Sequence, residues 1–187
     1  AEKASSNSSL KRFTYILAGD GDLQEPIALG ASTLAGHWKL SNLIMFYDKN
    51  DIQIAGNTSR VDSTDYAKLY DAMGWHVQEI DGHNHDEIRL SLKNAQSNDK
   101  PSIIIGKTII AKGSHSLEHS PKSHGSPFSE DEIKLTKEKL EIPQDSFYCN
   151  EDIINHFQRN FGLLNERVAE IDKEFEKNYY DEDQMFD

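Results

Sequence analysis

The sequence predicts an α/β protein with a parallel sheet and helices on both of its faces. Short apolar runs alternate along the chain with segments of helical periodicity, which is the order expected of strands joined by helical crossovers. The runs at residues 43–47 and 103–105 are continuously apolar, as expected for strands that are buried on both faces. We therefore expect one α/β domain, and the individual elements support this in order.

The predicted strands are runs of β-branched and aromatic residues that end in polar or glycine-rich segments. They cover residues 13–17, 43–47, 76–80 and 102–110, the last as one strand or a strand pair. The first run leads into Ala18-Gly19-Asp20-Gly21, which predicts a tight loop. The second leads into the polar residues 48–51, so both strands end in candidate binding loops.

The segments between the strands carry apolar residues at helical spacing. They predict helices over residues 27–35, 66–73 and 87–95. A Ser-x-x-Glu capping box at Ser129–Glu132 predicts a further helix that ends near Leu140. Before it, residues 111–127 are rich in Ser, His, Gly and Pro, and a loop of this length is usually functional or disordered.

The C-terminal segment differs from the rest in charge. Residues 166–187 contain nine acidic and three basic side chains, which is half of the net charge of −12. Apolar residues recur there at spacings of three and four: Phe161, Leu164, Val168, Ile171, Phe175 and Tyr179. This pattern predicts an amphipathic helix that packs on a domain, and it is short for a coiled coil.

Composition excludes several classes of protein. The chain has 32 acidic and 20 basic residues, so binding to nucleic acids or anionic membranes is disfavoured. No apolar run approaches the roughly 18 residues of a membrane span, and the polar N-terminus lacks the apolar core of a signal peptide. Cys149 is the single cysteine, which excludes an internal disulfide and a thiolate metal cage. We expect a cytoplasmic protein with no nucleic-acid or membrane partner.

Two polar positions are candidates for binding a ligand. Gly19-Asp20-Gly21 follows a strand, where α/β folds place their ligands, and the glycines let the backbone approach a bulky anion. A carboxylate repels phosphate unless a divalent cation lies between them, and magnesium prefers such oxygen ligands. Asn50 follows the next strand at one crossover's distance and offers a second oxygen. The sequence thus predicts a magnesium–diphosphate site.

These residues resemble the GDG…N signature of thiamine-diphosphate enzymes, and the surrounding motifs resemble transketolase. The matching segments cover most of the chain from about residue 13 to 140. They are Gly19–Glu25, Ser32–Leu40, Phe46–Asn50, Asp71–His76, Lys100-Pro101, Lys107–Ile110 and Ser123–Pro127.

The resemblance implies a role for each matched residue. Asp20, Asn50 and the main-chain carbonyl of Ile52 would bind magnesium, for which calcium or manganese can substitute. The implied contacts with thiamine diphosphate are Gly21, Asn50, Ile54, Ile110 and His124. His124 would also bind the sugar and act in catalysis. Glu25 is the second implied catalytic residue, in a carboxylate relay at the subunit interface.

The implied activity is the transfer of a two-carbon ketol unit from a ketose phosphate to an aldose phosphate in the pentose phosphate pathway, by a homodimer. The chain resembles part of the diphosphate-binding domain, incomplete at both ends. We divide it into a polar segment 1–12, a binding domain 13–145 and an acidic linker 146–187 towards an absent pyrimidine-binding domain. Alone, it is not expected to be active, and it needs the remaining segments or a partner chain.

Several departures from the family leave alternatives open. Pro26, Gly30 and Ala111-Lys112 replace usual family residues, and Asp22 adds a charge near the predicted metal. The chain could therefore belong to another thiamine-diphosphate enzyme, such as 1-deoxyxylulose-5-phosphate synthase or a 2-oxoacid dehydrogenase component. It could also be a non-catalytic cofactor-binding subunit. A zinc site among the histidines of residues 83–124 is a weaker alternative, because their spacings match no common cage.

Overall fold

The computed structural model describes residues 12–179, and side chains as far as residue 173. Of the predicted polar segment 1–12, all but Arg12 lies outside the described residues. The strands in the described part are β1 (Thr14–Gly19), β2 (Leu43–Lys49), β3 (Ile52–Gln53), β4 (Gly56–Asn57), β5 (His76–Asp81) and β6 (Ser102–Lys107). The helices there are α1 (Asp20–Gln24), α2 (Pro26–His37), α3 (Tyr66–Ala72), α4 (His85–Gln96), α5 (Glu130–Lys139) and α6 (Glu151–Tyr179). Single 3₁₀ turns lie at Thr58–Arg60 and Pro121–Ser123.

The main sheet has the strand order β1-β2-β6-β5, and every neighbouring pair is parallel. This confirms the predicted parallel sheet. Gly19 pairs with Asp48 and Asp48 with Gly106, so these three strands end side by side. β3 and β4 form a separate antiparallel hairpin just after β2.

Helices cover both faces of the sheet, as the sequence predicts. Alternate residues of the central strands β2 and β6 point to opposite faces. One face packs Met45, Tyr47, Ile103 and Ile105 against Leu23 of α1, Ala35 of α2, Tyr70 of α3 and Trp75. The other packs Ile44 and Ile104 against Ala95 of α4, with Phe46 and Leu92 alongside. The unbroken apolar runs of β2 and β6 result from this double burial.

The edge strand β1 is much less covered than the central strands. Leu17 is 86% exposed and Tyr15 is 52% exposed. Two apolar grooves run along β1, one on each face of the sheet. The α4-side groove, of about 690 Å³, is lined by residues that include Leu17, Phe46 and Leu92. The α2-side groove, of about 360 Å³, is lined by residues that include Leu17, Ala28 and Met45.

Two local predictions are wrong. The predicted loop at residues 18–21 is the start of α1, because the Asp22 carboxylate accepts the Gly19 N–H at 2.8 Å and Leu23 is buried. The predicted strand over 102–110 ends at Lys107. The backbone turns away there because the Ile109 N–H donates to Nε2 of His83, at 2.8 Å, and not to a neighbouring strand.

The described chain divides between Glu141 and Ile142 into two compact units. The second contains α6, which carries the first four residues of the predicted apolar series. The side chains of Phe175 and Tyr179 fall outside those described. No helix in residues 12–179 combines the length and apolar character needed to cross a membrane.

Gly36 of α2 provides a test of the packing between α2 and the end of α3. A Cβ at this position would lie 1.9 Å from the carbonyl oxygen of Met73. We expect Gly36→Ala to lower the free energy of unfolding by about 3 kcal/mol, because backbone must move to admit the methyl group. Chemical denaturation of the purified protein measures this change.

Gly30, in the same helix, is the matched control. A Cβ there meets nothing within 4 Å. Gly30→Ala should therefore stabilise the helix by roughly 0.5–1 kcal/mol. Equal stability of the two variants would contradict the described packing.

Candidate functional site

The candidate site lies at the carboxyl edge of the parallel sheet, where β1 and β2 end next to each other. Asp20 directly follows β1, and Asn50 directly follows β2. The two strands pair from Thr14 to Gly19 of β1, so the start of α1 and the start of the loop after β2 adjoin each other. The topology thus brings together two positions that are thirty residues apart in the chain.

Asp20 is a buried carboxylate, only 5% exposed. Its Oδ1 accepts the Tyr47 hydroxyl at 2.6 Å, and its Oδ2 accepts the Asp51 N–H at 3.0 Å. Burial is the main cause that raises the pKa of Asp20, the Tyr47 hydrogen bond opposes the rise, and the charge of Asp51 adds to it. Among the described residues, no Lys, Arg or His forms an ion pair with Asp20. A buried carboxylate of this kind is costly without a cation.

The loop after β2 folds around Asn50. The Asn50 amide oxygen accepts the Ile52 N–H at 3.0 Å, and Asp51 between them has a left-handed backbone, with φ of 62°. Aspartate tolerates this conformation better than most residues. The turn directs the Asp51 N–H at Asp20, and the Asp51 carboxylate pairs with Lys107. The loop after β2 is therefore joined directly to the first residue of α1.

The oxygen donors of this edge suit a hard divalent cation. Asp20 contributes a carboxylate, Asn50 an amide oxygen that keeps a free lone pair, and Ile52 a main-chain carbonyl. No described cluster of three or more His, Cys, Asp or Glu side chains could hold a metal. The zinc alternative therefore receives no support from the described residues, whereas a mixed oxygen site fits magnesium.

The predicted cofactor contacts lie around the same edge. Gly21 is exposed in the first turn of α1, beside a hydrogen bond of 2.9 Å from Gln53 to Gln24 that ties α1 to the β3–β4 hairpin. Ile54 lies in the hairpin turn and is 78% exposed. Ile110 is half-buried, next to the Ile109 N–H that His83 accepts. An exposed isoleucine at such an edge offers an apolar surface to a ring, but no described contact joins Ile54 to Ile110.

The histidine-rich loop of residues 111–127 is held on α5. The Glu132 carboxylate accepts the Ser116 N–H at 2.8 Å and the Ser116 hydroxyl at 2.7 Å, which lowers the pKa of Glu132. The Lys139 ammonium donates to the carbonyl of Ser114 at 2.7 Å. These bonds give the loop a defined structure.

His124 lies near the end of this loop and is half-buried. Its Nδ1 is covered and has no hydrogen-bond partner in the described residues. An unpaired buried polar atom needs a partner, which a ligand can supply. No described hydrogen bond connects His124 with Asp20 or Asn50, so its predicted role rests on the resemblance.

Glu25 is exposed at the junction of α1 and α2 and makes no described side-chain cap. Pro26 begins α2, where proline is well tolerated because it needs no N–H partner. Gly30 faces open space on the same helix. The predicted interface role of Glu25 stays a prediction.

Three residues that shape the site were not predicted from the sequence. They are Tyr47, Asp51 and Lys107, which bind Asp20 or one another. The available signal for Tyr47 was a hydroxyl on an otherwise apolar strand that is buried on both faces. Such a hydroxyl needs a buried partner.

Comparison with known proteins gives a consistent result. Residues 2–185 match a family described as the thiamine diphosphate binding domain of transketolase. A transketolase of Halalkalibacterium halodurans is 38% identical over 149 residues, which are 79% of this chain and 22% of that protein. A transketolase of Aquifex aeolicus is 34% identical over 176 residues, or 92% of this chain and 25% of that protein.

Solved structures agree in fold. A transketolase structure from Campylobacter jejuni has a TM-score of 0.86 and 39% identity, and the match covers 89% of this chain and 27% of that one. One from Leishmania mexicana has a TM-score of 0.80 and 32% identity, over 89% of this chain and 25% of that one. The chain thus spans about a quarter of the length of these proteins.

The anchor between the histidine-rich loop and α5 can be tested with Glu132→Ala. The variant removes both acceptors of Ser116, so amide hydrogen exchange around residues 114–118 should accelerate roughly tenfold. Glu130→Ala, an exposed change in the same turn of α5, is the control and should leave this exchange unchanged.

The same exchange has an expected pH dependence. The pKa of Glu132 is lowered, so its carboxylate is ionised above the ordinary glutamate pKa and stabilises the loop fully there. This stabilisation is lost only as the pH falls through the lowered pKa. Loss of protection in the wild-type loop at neutral pH, measured against the exchange rate of an unstructured peptide at the same pH, would contradict this anchor.

Proposed function

The chain belongs to the transketolase family, whose thiamine-diphosphate-binding domain it matches, and we propose that it supplies the magnesium- and diphosphate-binding half of an active transketolase. The complete enzyme would move a two-carbon ketol unit from a ketose phosphate to an aldose phosphate. The observation that carries this proposal is the buried carboxylate of Asp20, at the start of α1. It has no cationic partner among the described residues, and it accepts the Asp51 N–H from the turn that begins at Asn50.

The residues of the sheet edge have distinct tasks in this proposal. Asp20, Asn50 and the Ile52 carbonyl hold magnesium, which in turn neutralises the diphosphate. Gly21 lets the diphosphate approach the backbone closely. Thiamine diphosphate, when bound, supplies the electron sink that ketol transfer requires. Calcium or manganese would fit the same oxygen donors.

Other residues would act on the ring and the substrate. Ile54 and Ile110 cover the apolar part of the cofactor and exclude water from it. His124 binds the diphosphate and the sugar, and its unpaired Nδ1 supports this role. Glu25 lies at the interface of a homodimer, where its exposed position leaves it free to meet a second subunit.

The rest of a family-length protein would complete the fold at β1. Leu17 is 86% exposed, and the two apolar grooves beside it leave both faces of β1 open. The chain spans about a quarter of its relatives, so the larger part of such a protein is available to cover this edge. We propose that other segments, among them a pyrimidine-binding domain, supply the other half of the site.

A non-catalytic cofactor-binding subunit is the second candidate. It is favoured by Gly30, which leaves open space where family members carry a relay carboxylate. This candidate keeps the metal–diphosphate pocket but converts no sugar.

The activity is tested on the complete protein with magnesium and thiamine diphosphate. We expect transfer from a ketose phosphate to an aldose phosphate, and Asp20→Ala should abolish it because the proposed metal site loses its carboxylate ligand. Asp99→Ala, which removes an exposed carboxylate that precedes β6 at the opposite end of the parallel strands, is the control and should retain activity.

The outcomes separate the candidates. Unchanged activity of Asp20→Ala at saturating magnesium would refute the metal assignment. Turnover with pyruvate in place of the ketose phosphate would indicate another thiamine-diphosphate enzyme. Cofactor binding with no conversion of either donor would indicate the non-catalytic subunit.

The proposed cover of β1 is tested with Leu17→Lys. An exposed leucine tolerates this change, whereas a leucine buried by other segments does not, so we expect a loss of about 2–3 kcal/mol in the complete protein. Leu90→Lys, at a 59% exposed position on α4 that lines neither groove, is the control. Equal melting temperatures of the two variants would show that Leu17 stays exposed in the complete protein.

A further inference from the structure

The residue that holds Asp20 most tightly is Tyr47, which the metal and cofactor roles do not include. Tyr47 lies in β2 and is 2% exposed, within the core that α1, α2 and α3 cover. Its hydroxyl donates to Oδ1 of Asp20 at 2.6 Å. Both groups are buried, so water cannot readily replace either partner.

The two hydrogen bonds on Asp20 act on opposite oxygens of the carboxylate. Tyr47 binds Oδ1, and the Asp51 N–H binds Oδ2 at 3.0 Å. The final torsion of an aspartate is broad when nothing restrains it. Two donors, one in β2 and one in the turn after it, fix the plane of this carboxylate, and each oxygen keeps a lone pair for a further ligand.

The Tyr47 ring is itself held in place. It meets the ring of Tyr66 edge to face, with centroids 5.7 Å apart and planes at 73°. The hydroxyl of Tyr66 is directed elsewhere, because it donates to Oδ2 of Asp62 at 2.7 Å. The two phenols thus share a packing contact, but only one of them reaches Asp20.

We propose that Tyr47 is a positioning residue that orients the Asp20 carboxylate for the divalent cation. This inference rests on the proposed function, since it assigns Asp20 to the cation. Tyr47 acts through Asp20 and does not touch the metal. Outer partners of this kind, which orient a metal ligand by hydrogen bonding, commonly affect metal affinity.

The test is a calorimetric titration of magnesium chloride into the complete protein, held with thiamine diphosphate, for wild type, Tyr47→Phe and Tyr66→Phe. Phenylalanine fills the same space, so Tyr47→Phe removes one hydroxyl and keeps the core packed. We expect its magnesium Kd to rise about tenfold or more. Its turnover should approach that of wild type at saturating magnesium, because the cation ligands are intact.

Tyr66→Phe is the matched control, since it removes the other hydroxyl of the same aromatic pair. Its magnesium Kd should stay within about twofold of wild type, because the hydroxyl that it removes binds Asp62 and not Asp20. Melting curves recorded with excess magnesium check that both variants are folded.

Two results would overturn the inference. One is a Tyr47→Phe protein that binds magnesium as wild type does. The other is an equal loss of affinity in both variants, which would assign the effect to aromatic packing. Wild-type protein that binds no magnesium would instead overturn the proposed function, and this inference with it.

Discussion

The buried carboxylate of Asp20 is the constraint around which this edge of the molecule is organised. A negative charge that is 5% exposed, without a cation among the described residues, raises the free energy of the fold unless neighbouring groups compensate. The structure surrounds it with donors from β2 and from the following turn. The strained left-handed Asp51 and its ion pair with Lys107 maintain this turn. The local geometry thus stabilises the Asp20 carboxylate at a buried position that would otherwise disfavour its charge, as is common at functional sites.

Most of the fold could be predicted from the sequence because its signals are local. The unbroken apolar runs of residues 43–47 and 102–106 reveal strands covered on both faces, and Ser129–Glu132 reveals the start of a helix. The proximity of Asp20 and Asn50 could be predicted from the topology, since neighbouring parallel strands end together. The exposure of the β1 side chains could not be predicted, because the mostly apolar residues 13–17 resemble the residues of the central strands.

The features that could not be predicted depend on hydrogen bonds between a single side chain and a backbone N–H group. Asp22 converts an expected loop into α1 by accepting the Gly19 N–H, and His83 ends β6 by accepting that of Ile109. Ala111 adopts a left-handed backbone, with φ of 53°, at a position where the family usually has glycine. An alanine there costs roughly 1 kcal/mol or more, which neighbouring contacts of the loop must offset. The resemblance supplied the roles of Ile54, Ile110 and His124, which no local pattern indicates.

The open outer edge of β1 also bears on how this polypeptide behaves during synthesis. No strand among residues 12–179 pairs with this outer edge, which lies beside the apolar Leu17 and can act as a template for a second β1. A nascent chain that exposes this edge for long would be prone to intermolecular strand pairing and would depend on prompt cover or on chaperones. Copies of the chain in which this edge stays uncovered are therefore expected to accumulate in inclusion bodies.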